Sequence, residues 1–267
     1  MNYSSGYLFA KSRLSYNSGV ENGVIVLGNQ GLGDQIVMKG IYSYYASLYE
    51  KCVIPVCSRY KSSIVRMTKD IDNVFVVGYR MEIWHPSMLA HRDFLSNRGF
   101  TAINLGIFAN TESNLGEIPL DEKIFLEAKV NHDLRWENFQ VLRNTEKERE
   151  LFISLGCHTG RYVFVHEDIK RGLSIDEEKL PKGIKIIRPS ANQKKFSIFD
   201  YIYILENAAE IHCIESSFAI LIEQLNLNVR KYIHRYARPE VESNPEFHYS
   251  FRSDWTILKS SGSESGM

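Results

Sequence analysis

The sequence predicts an α/β protein built from two doubly wound domains that face each other across a cleft. Three observations support this fold class. Short, continuous apolar runs alternate with helical patterns, which is typical of parallel strands joined by helices. This alternation loosens between residues 110 and 144 and then resumes in the second half of the chain. The length of 267 residues also fits two domains of about 100 to 150 residues each.

The first half of the chain predicts four strands and three helices. Its first apolar run, Gly23 to Leu27, has the continuous apolar character of a strand buried on both faces. The stretch at 35–51 then places apolar side chains at helical spacing. By the same criteria we expect further strands at 52–57, 73–79 and 101–108, and further helices at 60–69 and 86–97.

The second half begins with a charged helix and repeats the alternation. A helix is predicted at 122–130, and Thr145, followed by acidic residues, is the expected N-cap of a helix at 145–155. We expect strands at 161–166, 183–188, 210–214 and 229–236, with helices at 197–207 and 217–224. The predicted domains therefore cover residues 1–145 and 146–259, followed by a disordered Ser/Gly tail at 260–267.

The composition argues against some classes of protein. Lys plus Arg and Asp plus Glu both number 32, so the formal net charge is zero, whereas a protein that wraps nucleic acid needs a surplus of cations. No apolar run approaches the roughly 20 residues that span a bilayer, and the N-terminus lacks the apolar core of a secretory signal. The four cysteines match no zinc-ligand spacing, so buried reduced thiols are expected. These features predict a cytoplasmic protein without an integral membrane segment.

The first candidate functional loop follows the first strand and reads Gly28-Asn29-Gln30-Gly31-Leu32-Gly33-Asp34. Glycines at the carboxyl end of a parallel strand let a ligand approach the backbone, and Gly31 and Gly33 are the candidate binding positions. The spacing matches neither the dinucleotide fingerprint nor a P-loop. Asp34 is either a simple helix-terminal carboxylate or a general base that deprotonates an attacking hydroxyl.

A second candidate loop follows the strand predicted at 161–166. It brings His166, Asp168, Lys170 and Arg171 close together in the sequence. Lys or Arg can stabilise the charge that develops on a diphosphate leaving group without a metal, while a solvated loop of mixed charge is the alternative. Asp168 is a second candidate base. No companion residues at suitable spacing favour a metal site with His166 and Asp168.

A third loop follows the strand predicted at 183–188. It contains Arg188, Ser190 and Lys194. These residues form either a loop that places cations near a phosphate or nucleobase, or an ordinary basic loop.

A fourth candidate is the strand-to-helix turn that contains Glu215, Ser216 and Ser217. Serines at a helix start satisfy N–H groups that have no intrahelical partner, and the same groups can hold a pyrophosphate. Glu215 can accept hydrogen bonds from ribose hydroxyls. His212, inside the preceding strand, is expected to be a core or cleft-wall histidine.

Three of these segments resemble the GT-B type of glycosyltransferase, which has two Rossmann-like domains, and in particular its heptosyltransferase-like and fucosyltransferase-like branches. Gly31-Leu32-Gly33-Asp34 is similar to the glycine-aspartate turn of heptosyltransferases, whose aspartate acts as the base. The run 165–168 with Arg171-Gly172 resembles the loop by which fucosyltransferase-like enzymes hold the donor diphosphate. The run 214–218 resembles their donor-site turn.

The chain also departs from these families. It is short for a GT-B protein, and Glu167 and Asp168 stand where the fucosyltransferase-like loop carries adjacent arginines, which leaves the role of Arg171 open. The resemblance implies an inverting, metal-independent transfer with a nucleoside-diphosphate sugar as co-substrate and no cofactor. The one Asp-x-Asp triplet, Asp70 to Asp72, enters a strand rather than leaving it, so a surface turn is expected there.

The resemblance implies that the N-terminal domain binds a glycan or glycolipid acceptor and that the C-terminal domain binds the nucleotide sugar. Two alternatives remain open at the level of the sequence. One is a non-catalytic module that binds a nucleotide or a sugar. The other is a sugar-nucleotide epimerase, which also uses two doubly wound domains.

Overall fold

The computed structural model describes residues 22–80, 82–109, 118–137, 139–189, 195–244 and 247–260. The chain divides into two compact units, Met1–Glu112 with Ile124–Leu142, and Ser113–Lys123 with Arg143–Met267. Each unit contains a parallel β-sheet combined with helices, so the predicted α/β class with two parallel sheets is confirmed. Of the disordered tail predicted at 260–267, residues 261–267 lie outside the described residues.

The first unit is built on four parallel strands in the order β3-β2-β1-β4. The strands are β1 (Gly23–Leu27), β2 (Lys51–Cys57), β3 (Val74–Tyr79) and β4 (Thr101–Asn104). All of β1 is buried, as its continuous apolar run predicts. In the register of the sheet, Ile25 lies opposite Val53 on one side and Ala102 on the other.

The first part of the chain contains six helices where four were predicted, at 35–51, 60–69, 86–97 and 122–130. They are α1 (Leu32–Val37), α2 (Lys39–Leu48), α3 (Lys61–Met67), α4 (Trp84–Ser96), α5 (Leu120–Glu127) and the short α6 (Leu134–Glu137). The single helix predicted at 35–51 is interrupted at Met38, although the Met38 N–H still bonds to the Asp34 carbonyl at 2.9 Å.

Two boundaries in this unit are set by backbone with positive φ. The fourth strand was expected to reach residue 108 but ends at Asn104, because Gly106 has φ +55° and begins a 3-10 turn over Gly106–Phe108. Helix α5 ends at Glu127 rather than at 130, and Lys129 has φ +54°. Left-handed backbone cannot continue a strand or a right-handed helix.

The second unit has five parallel strands in the order β6-β5-β7-β8-β9. The strands are β5 (Tyr162–His166), β6 (Lys185–Ile187), β7 (Glu210–Cys213), β8 (Arg230–His234) and β9 (Trp255–Leu258). The α-helices that follow α6 are α7 (Thr145–Ser154), α8 (Ile202–Glu206), α9 (Ser217–Leu225) and α10 (Pro239–Glu242). Strand β9 was not predicted from the sequence.

Helix α7 begins at Thr145, so its N-cap lies one residue earlier than predicted. The N-cap is Asn144, whose side-chain oxygen accepts a hydrogen bond from the Lys147 N–H at 3.0 Å, so the prediction of Thr145 as the cap was wrong. Both residue types are good caps, and the asparagine takes the position because its amide oxygen reaches the free N–H of the first turn. The helix predicted at 197–207 opens with a 3-10 turn, Ile198–Tyr201, before α8.

Each unit has its own apolar core. In the first unit the buried cluster consists of Ile25, Leu27, Val53, Tyr79, Met88, Leu95, Phe100 and Phe108. In the second unit a cluster on one sheet face consists of Val163, Val165, Ile175, Leu180, Ile214 and Ala237. All four cysteines are buried and unpaired, as predicted. Among the described residues, no helix has the length and apolar character needed to cross a bilayer.

Buried carboxylates attach the last described segment of the chain to the second unit. Glu223, in α9, is 1% exposed and accepts four hydrogen bonds. Its donors are the Arg252 N–H at 2.6 Å, the Ser253 N–H at 3.3 Å, the Ser253 hydroxyl at 2.6 Å and the Trp255 indole N–H at 2.9 Å. These bonds carry the chain from residue 252 into β9, next to β8. Since a buried carboxylate is costly unless its oxygens are bonded, Glu223 and this segment stabilise each other.

We expect the variant E223A to lower the free energy of unfolding by about 2 to 4 kcal/mol, because it leaves several buried donors without an acceptor. Chemical denaturation followed by circular dichroism measures this. The matched control is Q224L at the next position, since the buried Gln224 amide atoms have no hydrogen-bond partner in the described part of the chain. A loss in Q224L as large as that in E223A would contradict the role given to Glu223.

Candidate functional site

Ligands of open α/β sheets bind outside the carboxyl ends of the strands, where loops and helix starts converge. Each unit has one such edge. In the first unit the edge collects the loop after β1, the turn after β2, the residues after β3 and the 3-10 turn after β4. In the second unit it collects the segments that follow β5, β6, β7 and β8.

In the first unit, Gln30 fixes the loop after β1 to the neighbouring strand. Its amide nitrogen donates to the Gly28 carbonyl at 2.7 Å, and its amide oxygen accepts from the Cys57 N–H, at the end of β2, at 2.9 Å. One side chain therefore closes the loop on itself and ties it to β2. Such a loop is held in place before any ligand arrives.

Asn29 makes the corresponding connection to β4. Its side-chain oxygen accepts from the Ile107 N–H at 3.1 Å, and its carbonyl accepts from the Gln35 side chain at 2.7 Å. The Gln35 oxygen in turn accepts from the Tyr42 hydroxyl at 2.7 Å. No role was predicted for Asn29 and Gln30 from the sequence. Two amide side chains in a glycine-rich strand-to-helix loop were the signal that could have indicated one.

Asp34 lies in the first turn of α1 and is half-buried. Its carboxylate lies against Gly31, since a Cβ at that position would come 2.4 Å from Asp34 Oδ2. Gly31 has φ −68°, so its backbone does not require glycine, but a side chain at this position would displace the Asp34 carboxylate. Gly33 is part of α1 and half-buried. The predicted pair of Gly31 and Asp34 is thus brought into contact.

Three cations surround this edge. Arg59 and Lys61 follow β2, and Arg80 follows β3. All three are exposed, and none of them forms an ion pair with another described residue. Arg59 instead lies over the Tyr60 ring, 4.7 Å from its centroid. The edge therefore carries positive charge that carboxylates of the described residues do not neutralise.

In the second unit, β5 and the start of α9 bring His166 and Ser216 together. The His166 Nδ1 and the Ser216 hydroxyl are 2.9 Å apart. Burial lowers the pKa of His166 to about 4, against an opposing effect of Asp168, so the imidazole is neutral near pH 7. Ser216 is the N-cap of α9, yet its side chain makes no capping bond. The expectation that this serine satisfies a helix N–H group is therefore wrong, because its hydroxyl bonds to His166.

The segment after β5 forms a compact turn. Asp168 and Leu173 pair as an antiparallel bridge, and a 3-10 turn over Ile169–Arg171 lies between them. Lys170 and Arg171 are both exposed on this turn, and Arg171 lies 3.7 Å from the Glu240 carboxylate. Asp168 is half-buried beside His166. The structure thus brings these predicted donor-site residues to one edge of the sheet.

Arg188 is engaged with carboxylates of its own unit. Its Nε donates to Glu167 Oε1 at 2.9 Å, and its Nη2 pairs with Glu177. The other oxygen of Glu167 accepts from the Ile175 N–H at 2.9 Å. Arg188 therefore helps to fold this edge, and a ligand would have to compete with two carboxylates for it. Ser190 and Lys194 lie outside the described residues.

Glu215 is 1% exposed and has internal partners. Its Oε1 accepts from the Tyr249 N–H at 2.7 Å, and its Oε2 lies 3.3 Å from Arg235 Nε. This burial argues against direct contact with a ribose, and Glu215 instead supports the turn that precedes Ser216. Ser217, in the first turn of α9, is half-buried. His212 is 2% exposed and hydrogen-bonded on both ring nitrogens, as expected for a core histidine.

Arg238 belongs to this edge and was missed in the sequence. Its Nη1 donates to the Glu215 carbonyl, and its Nη2 lies 3.4 Å from the Glu240 carboxylate, which also attracts Arg171. Arg171 and Arg238 thus share one exposed carboxylate next to the start of α9. The available signal was a cation shortly after a strand, which is also how Arg188 was selected.

The structure gives the Asp-x-Asp triplet a structural role. Asp70 lies in a turn before β3, as predicted, and its carboxylate is 2.8 Å from the fully buried Lys39 Nζ. A buried ammonium needs such a partner. Among the described residues, no group of three or more His, Cys, Asp or Glu side chains is arranged to hold a metal ion.

Comparison with known proteins identifies the fold. No family model and no curated protein matches the sequence. Among solved structures, a glycosyl transferase family 9 protein from Veillonella parvula matches with a TM-score of 0.55 at 10% identity, over 94% of this chain and 90% of that chain. The ADP-heptose lps heptosyltransferase II from E. coli matches with a TM-score of 0.53 at 9% identity, over 88% and 90%. The resemblance to the heptosyltransferase-like GT-B fold is thus confirmed at the level of fold.

Three buried histidines and the half-buried His166 predict that acid destabilises the protein. Burial lowers the pKa of His91 to about 4, of His166 to about 4 and of His234 to about 3, and it also lowers that of His212. Below pH 6.5 these histidines bind protons in the unfolded chain but stay neutral in the folded protein. The free energy of unfolding therefore decreases as the pH falls from about 6.5 towards 4.

Urea denaturation at pH 7, 6 and 5 measures this loss. We expect each such histidine to contribute on the order of 1 to 2 kcal/mol of destabilisation at pH 5. The variant H91Q should show a shallower decrease than the wild type, because one of the titrating groups is gone. Equal stability of the wild type at pH 7 and pH 5 would contradict the neutral state of these side chains.

Proposed function

We propose that the protein is a glycosyltransferase that moves a sugar from a nucleoside-diphosphate sugar to a hydroxyl group of a glycan or glycolipid. The observation that carries the proposal is Asp34, a half-buried carboxylate at the carboxyl edge of the first sheet, given space by Gly31. The two solved structures with this fold are named as glycosyltransferases, which supports the same reaction class. Because the sequence identity to these two proteins is only 10% and 9%, the proposal is based on the residues of the candidate site.

In this proposal Asp34 is the general base. It accepts the proton of the acceptor hydroxyl as the hydroxyl oxygen bonds to the anomeric carbon, and the bond from that carbon to the diphosphate oxygen breaks. The leaving diphosphate keeps the electron pair. Attack from the face opposite the leaving group gives inversion. Asp168 is the alternative base, because it is half-buried at the carboxyl edge of the other sheet.

The second unit is proposed to bind the donor. Arg171 and Lys170 are exposed cations, and the N–H groups at the start of α9 next to Ser216 and Ser217 suit phosphate oxygens. Arg238 adds a third cation at the same turn. Cations of the chain then stabilise the developing charge of the diphosphate, and neither a metal ion nor a cofactor is required.

The first unit is proposed to bind an acceptor with a negatively charged group. Arg59, Lys61 and Arg80 follow strands β2 and β3 of the same sheet and form no ion pair with other described residues. Positive charge at a ligand edge attracts a phosphate or carboxylate on the substrate. We also propose a cytoplasmic location, which four unpaired, buried cysteines support.

A screen of nucleoside-diphosphate sugars tests the proposal. A donor that binds the native state should raise the melting temperature, and transfer should release the nucleoside diphosphate only when an acceptor is present. Conversion of the nucleotide sugar without any acceptor would favour an epimerase instead. Binding without release, whatever the acceptor, would favour a binding module.

Asp34→Asn should lower turnover about 100-fold or more, since the amide cannot accept the proton. Donor binding, measured by the same thermal shift, should be retained. Gly31→Ala should also lower turnover, because its methyl group displaces the Asp34 carboxylate. Asp72→Asn, an exposed carboxylate in the same unit, is the control. Unchanged turnover in D34N would remove Asp34 from the mechanism.

The three cations predict a second measurable effect. Each of R59A, K61A and R80A should raise KM for an acidic acceptor roughly two- to fivefold, as expected for exposed charge pairs. The effect should shrink in high salt, which screens surface charges. Lys69→Ala, an exposed lysine in the same unit, is the control. Equal KM values for an acidic acceptor and its neutral counterpart would exclude an anionic acceptor.

A further inference from the structure

A row of buried polar side chains runs along one face of the second sheet. Glu210 and His212 belong to β7, His234 to β8, and Tyr236 follows β8. His212 Nε2 lies 3.3 Å from Glu210 Oε2, His212 Nδ1 lies 2.9 Å from His234 Nε2, and His234 Nδ1 lies 2.9 Å from the Tyr236 hydroxyl. Glu210, His212 and His234 are 8%, 2% and 0% exposed. The functional site as proposed above does not use this row.

The hydrogen bonds of the row have one consistent direction. The Glu210 carboxylate, which is paired with Arg230, can only accept, so His212 carries its proton on Nε2. His212 Nδ1 is then an acceptor, and His234 must carry its proton on Nε2. His234 Nδ1 therefore accepts the proton of the Tyr236 hydroxyl. Both histidines are neutral, in agreement with the lowered pKa that burial gives to each of them.

This order leaves the Tyr236 oxygen free to accept a further hydrogen bond. The Asp176 N–H donates to it at 3.0 Å. The Tyr236 ring also packs on the apolar cluster that contains Ile175 and Leu180. Tyr236 thus attaches the segment 173–180, which follows β5 in sequence, to the end of β8.

The attached segment continues from the turn that carries the exposed cations. Asp168 and Leu173 pair on either side of the turn, with N···O distances of 2.9 and 3.0 Å, and the Ile175 N–H bonds to Glu167 at 2.9 Å. These two contacts lie within the segment that leaves β5. The bond of Asp176 to Tyr236 connects that segment to another strand of the sheet.

We propose that Tyr236, oriented by the row of His234, His212 and Glu210, is a positioning residue that holds the segment 167–177 and with it the turn of Lys170 and Arg171. This proposal rests on the proposed function in one respect only, namely the identity of the ligand that the turn binds. If the turn binds the donor diphosphate, loss of the Tyr236 hydroxyl weakens donor binding while the chemical step is retained. Tyr236 does not itself touch the substrate.

The experiment compares two Tyr→Phe variants of the full chain. Y236F removes the hydroxyl that bonds to Asp176, whereas Y232F removes that of Tyr232, whose ring stacks on His212 at 4.5 Å on the same sheet face. Amide hydrogen exchange of the segment 173–177 is measured by mass spectrometry. We expect exchange about tenfold faster in Y236F and unchanged in Y232F, because the Asp176 N–H loses its acceptor only in Y236F.

A second pair of variants tests the direction of the hydrogen bonds. In H234N the amide oxygen can occupy the place of Nδ1 and accept from Tyr236, whereas the longer side chain in H234Q reaches the place of Nε2 instead. Exchange at 173–177 should therefore be slower in H234N than in H234Q. This comparison keeps the test valid if Y236F raises exchange throughout the protein.

Kinetics separate this inference from the proposed function. With the nucleotide sugar found by thermal shift, Y236F should raise the donor KM several-fold and change kcat little. Protection at 173–177 that is equal in Y236F and Y232F, or equal in H234N and H234Q, would overturn the positioning role. If no donor binds the wild-type protein, the proposed function fails, while the exchange result still decides whether Tyr236 holds the segment.

Discussion

The second unit depends on the requirement that a buried carboxylate must be surrounded by hydrogen-bond donors. Removing a carboxylate from water is costly, and only well-placed donors offset the cost. Glu223 accepts four hydrogen bonds from residues 252–255, and Glu215 accepts the Tyr249 N–H. Asp121, also buried, accepts the Ser250 N–H at 2.9 Å. The same bonds that satisfy these anions lead the chain into β9, so the edge strand follows from the burial of charge.

The first unit organises its edge with neutral groups instead. Asn29 and Gln30 hold the loop after β1 through amide side chains, and the hydroxyl of Tyr42 supports Gln35 behind them. Neutral amides add no charge that would compete with a ligand. The loop after β1 is thus held without the burial of a charge, in contrast to the segment that the buried carboxylates hold in the second unit.

The strands of the fold could be predicted from the sequence because burial on both faces leaves a direct record in continuous apolar runs, as in β1 and β5. Strand β9 could not, because its pairing depends on Glu223, which lies 32 positions before Trp255 in sequence. Gly106 ended β4 early through a backbone angle that composition does not reveal. The candidate residues Asp34, His166 and Arg171 were selected because they lie at or shortly after the ends of strands. Arg238 was missed, and the two carboxylates that Arg188 contacts were not predicted, because a sequence does not show which carboxylates an arginine meets.

A shared fold at about one residue in ten identical leaves the reaction undetermined, since binding modules and epimerases can use the same architecture. The residues around Asp34 distinguish these functions better than the fold does. Gly31 has no side chain and so leaves space for the Asp34 carboxylate. A module that only binds a sugar gains little from this arrangement. An enzyme that must remove a proton from a hydroxyl needs a carboxylate that is held in place yet accessible. Asp34 is half-buried in the first turn of α1, next to the loop that Asn29 and Gln30 hold in place. The proposed transfer therefore depends on the space that Gly31 leaves for the Asp34 carboxylate.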